Sequence, residues 1–274
     1  MLPASVADDP HAAVRRTSAV RFLYGLNPLA KMAAVLPALV LLVFVRDLAT
    51  PVAFLALSYL VLLVGVSLSI RAAVLLALAI PGAIAVLGFG FALWTDAALV
   101  ADTPPVLQIG AWTLYSGALE IGLATGLRLA AILALSLIPG LSTTGPDLVR
   151  ACVQQLRVPY RIGYTALAAF RFVPRFGHEL EIIRQAHRVR GAHRGRGPIA
   201  SLRRWASYLV PLLAGAIRHA ERVALAMDSR AFGAYPDRTE RHLVPFRPRD
   251  VVFIAAFWLA SAALFALFFP WGIA

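Results

Sequence analysis

One cysteine and one lysine are all that this chain of 274 residues has of either type, and each scarcity excludes chemistry. Cys152 alone allows neither an internal disulfide nor a cysteine-based metal cluster, and reads as a small residue on a helix face. Lys31 follows Ala30, so the Gly-Lys-Ser/Thr core of a Walker phosphate loop cannot be built anywhere in the chain. His178-Glu179 lacks the second histidine of a zinc-peptidase helix, because position 182 is isoleucine, and the six histidines show no metal-ligand spacing. Gly65-Val66-Ser67-Leu68-Ser69 lacks the last glycine of a nucleophile elbow. Gly191, Gly195 and Gly197 have the look of a glycine-rich phosphate loop, but no strand pattern precedes them. The apolar runs carry no paired acids for general acid–base work. Neither catalysis nor a cofactor is expected of this chain.

Charge is scarce as well. Only 15% of residues are charged while 60% are hydrophobic, too apolar for an ordinary soluble domain. A helix needs about 20 mainly apolar residues to cross the hydrocarbon layer. Such runs occur at Leu29–Val45, Pro51–Ile70, Ala72–Trp94, Gly117–Ile138 and Val251–Phe269. None alternates as the strands of a membrane barrel do. The expected fold is therefore an all-α integral membrane protein with about five transmembrane helices and long amphipathic helices inserted before the last span.

What charge there is lies unevenly. Between Gly145 and Asp250 there are nineteen of the 26 basic residues against eight acids, which leaves +11 of the chain's net +12. Arg15, Arg16, Arg21 and Lys31 precede or open the first span, Arg71 separates the second from the third, and the opposite loops hold Arg46 with Asp47, then Asp96 and Asp102. Positive excess marks the inner side. Five spans with the N-terminus cytoplasmic and the C-terminus outside place every excess there. The N-terminus is not a secretory signal, having no continuous apolar core and carrying Asp8 and Asp9. The expected organisation is a mobile tail (1–20), a membrane domain with four spans (21–140), a cytoplasmic region (141–250) and a final span (251–274). The basic charge lies beside membrane spans, where lipid headgroups attract arginine, so it does not point to nucleic acid.

Asn27-Pro28 has the chemistry of a helix start, as has Pro51, and Pro81-Gly82 suggests a kink in the third span. Thr95–Ser116 reads as an outer loop. Arg128 sits near the middle of the fourth span, where an arginine costs roughly 3 kcal/mol unless it finds a partner. Two readings stand open: packing on backbone carbonyls, or a functional role. After Thr143-Thr144-Gly145-Pro146-Asp147, a short amphipathic helix stops before Pro159. From Tyr160 the apolar stripe is Tyr164, Leu167, Phe170, Val173, Phe176, Leu180 and Ile183, interrupted by Pro174. Beyond the breaker-rich loop Gly191–Gly197, a second stripe holds Trp205, Leu209, Leu212, Ala216, Ala220, Val223 and Met227, interrupted by Pro211. Neither helix is apolar all round, so neither is expected to cross the bilayer. Both should lie along or under it.

The two long helices end alike, in His187-Arg188-Val189-Arg190-Gly191 and Asp228-Ser229-Arg230-Ala231-Phe232-Gly233. Taken singly each is a helix C-cap, a cation at the negative end of the dipole followed by a residue for the left-handed turn. Together, after four spans, they resemble the transmembrane T component of energy-coupling factor (ECF) transporters, a family marked by two Ala-Arg-Gly-like motifs at the ends of cytoplasmic coupling helices. The motifs here are Val189-Arg190-Gly191 and Ser229-Arg230-Ala231. Asn27-Pro28-Leu29-Ala30-Lys31, Leu141-Ser142-Thr143-Thr144, Phe170-Arg171-Phe172-Val173-Pro174 and Pro211-Leu212-Leu213 before Glu221-Arg222 are similar too, so the likeness runs from about residue 22 to 270. The second motif has no glycine after its arginine, and Gly233 is the expected substitute.

The resemblance implies a complex in the bacterial or archaeal plasma membrane with two ATP-binding ATPase subunits and a small membrane-embedded S component that binds a vitamin or metal ion. It implies docking of Arg190 and Arg230 in one ATPase groove each, with Pro174 and Pro211 as bend points. Two other classes remain: a self-contained permease with Arg128 and Glu120 along a solute path, and a membrane-surface scaffold whose basic helices bind anionic lipid.

Overall fold

A computed structural model describes residues 22–109, 112–191, 197–236, 239–240 and 242–269. The tail expected at 1–20 and the middle of the Gly191–Gly197 loop lie outside the described residues. In chain order the helices are α1 (Pro28–Phe44), α2 (Ala49–Gly65), α3 (Ile70–Trp94), α4 (Ser116–Ser142), α5 (Gly145–Gln155), α6 (Tyr160–Val189), α7 (Pro198–Asp228) and α8 (Pro248–Phe268). The chain divides into two compact units, residues 1–144 with 245–274, and residues 145–244.

In the first unit, three helices are long and apolar enough to cross a membrane: α3, α4 and α8, of 25, 27 and 21 residues. α1 and α2 are equally apolar but only 17 residues each. The second run breaks earlier than its hydropathy suggests. Helix α2 stops at Gly65, and Ser69 caps α3 by accepting the Ala72 N–H at 3.2 Å. Leu68 continues the apolar run without continuing the helix, since a serine side chain that can cap competes with the helix interior. The start of α2 is likewise set by Asp47, whose carboxylate accepts the Thr50 N–H at 2.7 Å, two residues before α2 was expected to open at Pro51. The outer loop contains a structure that the reading missed: Pro105–Ile109 pairs antiparallel with Trp112–Tyr115, with a bulge between Pro105 and Leu107. Strands this short carry too little alternation to announce themselves.

Three helix ends gather at one end of this unit. Asn27 caps α1 by accepting the Leu29 N–H at 3.0 Å. The buried Asp250 accepts the N–H of Asn27 at 2.7 Å and of Arg247 at 2.6 Å, tying the start of α8 to the start of α1. An anion at two helix N-termini is stabilised by both dipoles. α4 runs antiparallel to α1 and ends here, where the buried Lys31 donates from Nζ to the Ser142 carbonyl at 2.8 Å. The other end of α1 is closed by α4 in return. Arg128 donates to the carbonyls of Val45 (3.0 Å) and Val43 (3.4 Å) and to the Thr125 hydroxyl (3.2 Å). Of the two readings of Arg128, packing on backbone carbonyls describes its contacts.

Between these ends the unit packs Leu23, Val35, Leu42, Phe54, Leu62, Leu135, Ile138 and Phe257. In lipid, apolar burial between helices gains little, because the tails are as apolar as leucine, and close approach must do more. The α3–α4 contact is such a case. Gly122 and Gly126 are one turn apart on α4 and meet Gly88 and Ala92 of α3. A methyl on Gly122 would strike the Gly88 carbonyl oxygen, and one on Gly126 would come within 2.9 Å of the Gly88 nitrogen. This Gly-x-x-x-Gly pattern was legible in the sequence and was missed. Pro37 inside α1 frees a carbonyl that a neighbour covers. Pro37 leaves the Ala33 carbonyl without its helical donor, and the Trp258 indole N–H of α8 fills the place at 3.1 Å. The Tyr59 hydroxyl donates to Leu76 at 3.1 Å, one residue before the carbonyl freed by Pro81.

Two outcomes follow. Gly122→Val should destabilise the chain by about 2–3 kcal/mol through overpacking against backbone, seen as a lower thermal midpoint in detergent. Gly90→Ala, where a methyl meets nothing within 4 Å, should not lower the midpoint and should raise it slightly through alanine's higher helix propensity. Trp258→Phe should cost about 0.6–1 kcal/mol, and less in a Pro37→Ala background that restores the helical bond, a coupling measurable in a double-mutant cycle.

Candidate functional site

The second unit carries both arginine motifs. Its helices α6 and α7, of 30 and 31 residues, pack antiparallel. Phe172 stacks on His219 with ring centroids 4.6 Å apart, Gly215 faces the Glu179 carboxylate, His187 meets Tyr208 edge-on at 5.2 Å, and Arg184 lies over the Trp205 ring at 5.1 Å. At the far end Tyr160 and Tyr164 flank Phe232 at 5.6 and 6.1 Å. Neither helix is among those apolar enough to cross a membrane.

The single stripe expected along α6 is in fact two. Gly163 and Phe170 face α5, against Val153 and Gly145, while Phe172 and Phe176 share the side turned to His219. A helix contacted by different neighbours along its length turns different faces to each. Phe170 and Val173 consequently remain exposed. On α7 the apolar arc is wider than its contact. Leu212, Ala216, Val223 and Met227 are half-buried, whereas Leu202, Leu209, Leu213 and Ile217 are exposed on the adjoining side. Helices α6 and α7 continue through Pro174 and Pro211, each of which removes one helical hydrogen bond.

Several described residues after α7 are tied to α5 and α6. Arg161 and Tyr160 donate to the carbonyls of Gly233 and Tyr235, both at 2.6 Å. Gln154 pairs with the backbone on both sides of Leu243, donating to His242 and accepting from Val244 at 2.8 Å, and Gln155 donates to Val244. These two glutamines escaped the sequence reading, since nothing local distinguishes a clamping glutamine from a solvated one.

The motif ends share one backbone form. Arg190 has helical φ, its N–H bonds to Ala186, and Gly191 follows with φ +65° and an N–H to the Arg188 carbonyl. After Arg230, Ala231 takes φ +53° with its N–H to Asp228, and the Phe232 N–H reaches Met227, closing a Schellman motif. The glycine substitute is thus Ala231 itself. Gly233 also has positive φ, but lies two residues too late to close the helix. Val189, Arg190, Gly191, Ser229, Arg230 and Ala231 are all exposed. Among the described residues, neither guanidinium has a hydrogen-bond or ion-pair partner. Because the helices are antiparallel, the two arginines stand at opposite ends of the pair, separated by most of the length of α7, on the order of 35–40 Å at 1.5 Å per residue.

Apolar spanning helices joined to a basic amphipathic pair define an all-α integral membrane protein with exposed cationic helix ends. Residues 19–241 match the CbiQ family, described as "Cobalt transport protein". The chain belongs to this family of ECF transporter transmembrane components. It is 26% identical over 174 residues to the energy-coupling factor transporter transmembrane protein EcfT of Bacillus subtilis, covering 61% of this chain and 66% of that protein. With the EcfT of Bacillus selenitireducens the identity is 28% over 169 residues, covering 59% and 63%. A putative ABC transporter ATP-binding protein of Bifidobacterium longum is 28% identical over 178 residues, covering 62% of this chain and 23% of that protein. The chain therefore spans less than two thirds of the length of these relatives.

An alanine held at positive φ stores strain of roughly 1 kcal/mol that glycine would not. Ala231→Gly should stabilise the end of α7 by about 0.5–1 kcal/mol, and Gly191→Ala should destabilise the end of α6 by about 1 kcal/mol. Amide hydrogen exchange in the last turn of each helix measures both.

Proposed function

We propose that this chain is the energy-coupling transmembrane subunit of an ECF-type ABC importer. It links ATP hydrolysis by two partner ATPase subunits to movement of a membrane-embedded S component that carries a vitamin or metal ion. The observation that carries this reading is the pair of exposed guanidiniums, without a partner among the described residues, at opposite ends of one antiparallel helix pair. Each presents a planar fork of donors suited to carboxylates or carbonyls in a partner's groove. Two ends so far apart suit two copies of one partner. The name of the Bifidobacterium relative, an ATP-binding protein, supports an ATPase as that partner.

In this reading residues 21–140 and 251–274 span the plasma membrane with the N-terminus cytoplasmic and the C-terminus outside, and residues 141–250 form the cytoplasmic coupling region. Nucleotide draws the two ATPase subunits together, and their grooves carry Arg190 and Arg230 with them. Helices anchored only at their tips respond by changing crossing angle, with Pro174 and Pro211 as bend points where a backbone bond is already missing. The uncovered leucines of α7 then shift against the S component.

The reading is tested by Arg190→Glu and Arg230→Glu in the assembled complex. Reversing a charge in a docked fork should lower recovery of the ATPase subunits and substrate uptake by about tenfold or more for each variant, since 1.4 kcal/mol is tenfold in affinity. Full assembly and uptake by both variants would sink it.

A further inference from the structure

Within the second unit, α6, the end of α7 and the segment after it enclose a groove of about 900 Å³. Its rim is basic. Arg171 and Arg175 come from successive turns of α6, and Arg230 comes from the end of α7. None of the three has an ion-pair or hydrogen-bond partner among the described residues. One carboxylate, Glu240, lines the groove, and it already accepts the Tyr164 hydroxyl at 2.8 Å. Its wall is aromatic, with Tyr164 edge-on to Phe232 and Phe172 stacked on His219. Three such guanidiniums over an aromatic wall suit a compact anion attached to an apolar body. Guanidinium forks match phosphate oxygens two at a time.

The geometry points to a binding site for an anionic phospholipid, its phosphate held by Arg171, Arg175 and Arg230 and its apolar part against the aromatic wall. A lipid is favoured over a free phosphate by two features: the chain is a membrane protein, and beside its polar groups the groove is lined by Leu167, Phe172, Val223, Met227 and Phe232, apolar surface that a free phosphate would leave unused. Basic pockets next to a bilayer collect anionic headgroups. Arg171 and Arg175 belong to neither helix-end motif, so variants at these two positions test the groove separately from ATPase docking, which shares only Arg230 with it.

The test uses the full chain in phosphatidylcholine nanodiscs with a minor fraction of phosphatidylglycerol, and native mass spectrometry of the retained lipid. The wild type should carry phosphatidylglycerol in excess of its share of the disc. Arg171→Ala with Arg175→Ala should lower that excess by about tenfold, while Arg203→Ala with Arg218→Ala, which removes the same charge from exposed positions off the groove, should preserve it. Wild-type retention by the first pair, or equal loss in both pairs, overturns the proposal. So does release of the lipid by soluble glycerol phosphate at matched concentration, which would make the phosphate alone the ligand. If the first pair loses helicity by circular dichroism, Arg175→Gln alone carries the same comparison.

Discussion

The last turn of every helix leaves carbonyl groups without a donor, and in an apolar chain there is little water to satisfy them. The way this protein meets that demand shapes much of what is described above. α1 and α4 run antiparallel and each lends a cation to the other: Lys31 to the Ser142 carbonyl, Arg128 to those of Val43 and Val45. Two charges that would be costly in the bilayer thus act as caps, and they fix the two helices lengthwise. The long helices of the second unit close their ends by another route, a left-handed residue directly after an arginine. The backbone there satisfies itself, so among the described residues neither arginine side chain is used to close its helix.

The same demand explains the tryptophan of α8. Proline in a membrane helix frees a carbonyl, and Trp258 supplies the donor that Pro37 removes from Ala33. The close contact of Gly122 and Gly126 with α3 has a related origin. Where burial of leucine gains little over lipid, helices gain by bringing backbones together, and glycine permits it. The first unit is thereby held by contacts that tolerate little change in shape.

The second unit is built differently. α7 has no fully buried residue, and half of its apolar arc is uncovered. Its contacts with α6 are aromatic and cationic pairs spread along two long helices, sparse enough to be rearranged at modest cost. The proposed docking ends and the proposed lipid groove share Arg230, the one residue common to both.

Much of this was legible in the residues. Apolar runs of spanning length, the three-and-four spacing of the amphipathic helices and the Arg190-Gly191 ending depend on neighbours a few positions apart, and such patterns survive in a linear text. The boundary at Gly65, the hairpin at residues 105–115 and the split stripe of α6 were not legible, because one serine, a few strand residues or a change of neighbour decides them. Arg128 was visible as a charge in need of a partner, but the partner lies over eighty positions away. The convergence of Arg171, Arg175 and Arg230 likewise exists only once α7 has turned back along α6. Sequence alone determined which segments are helices, which faces are apolar and where cations end them, since those are local consequences of period and propensity. Tertiary structure decided what each cation touches, because a hydrogen bond is made between surfaces that the chain brings together from far apart.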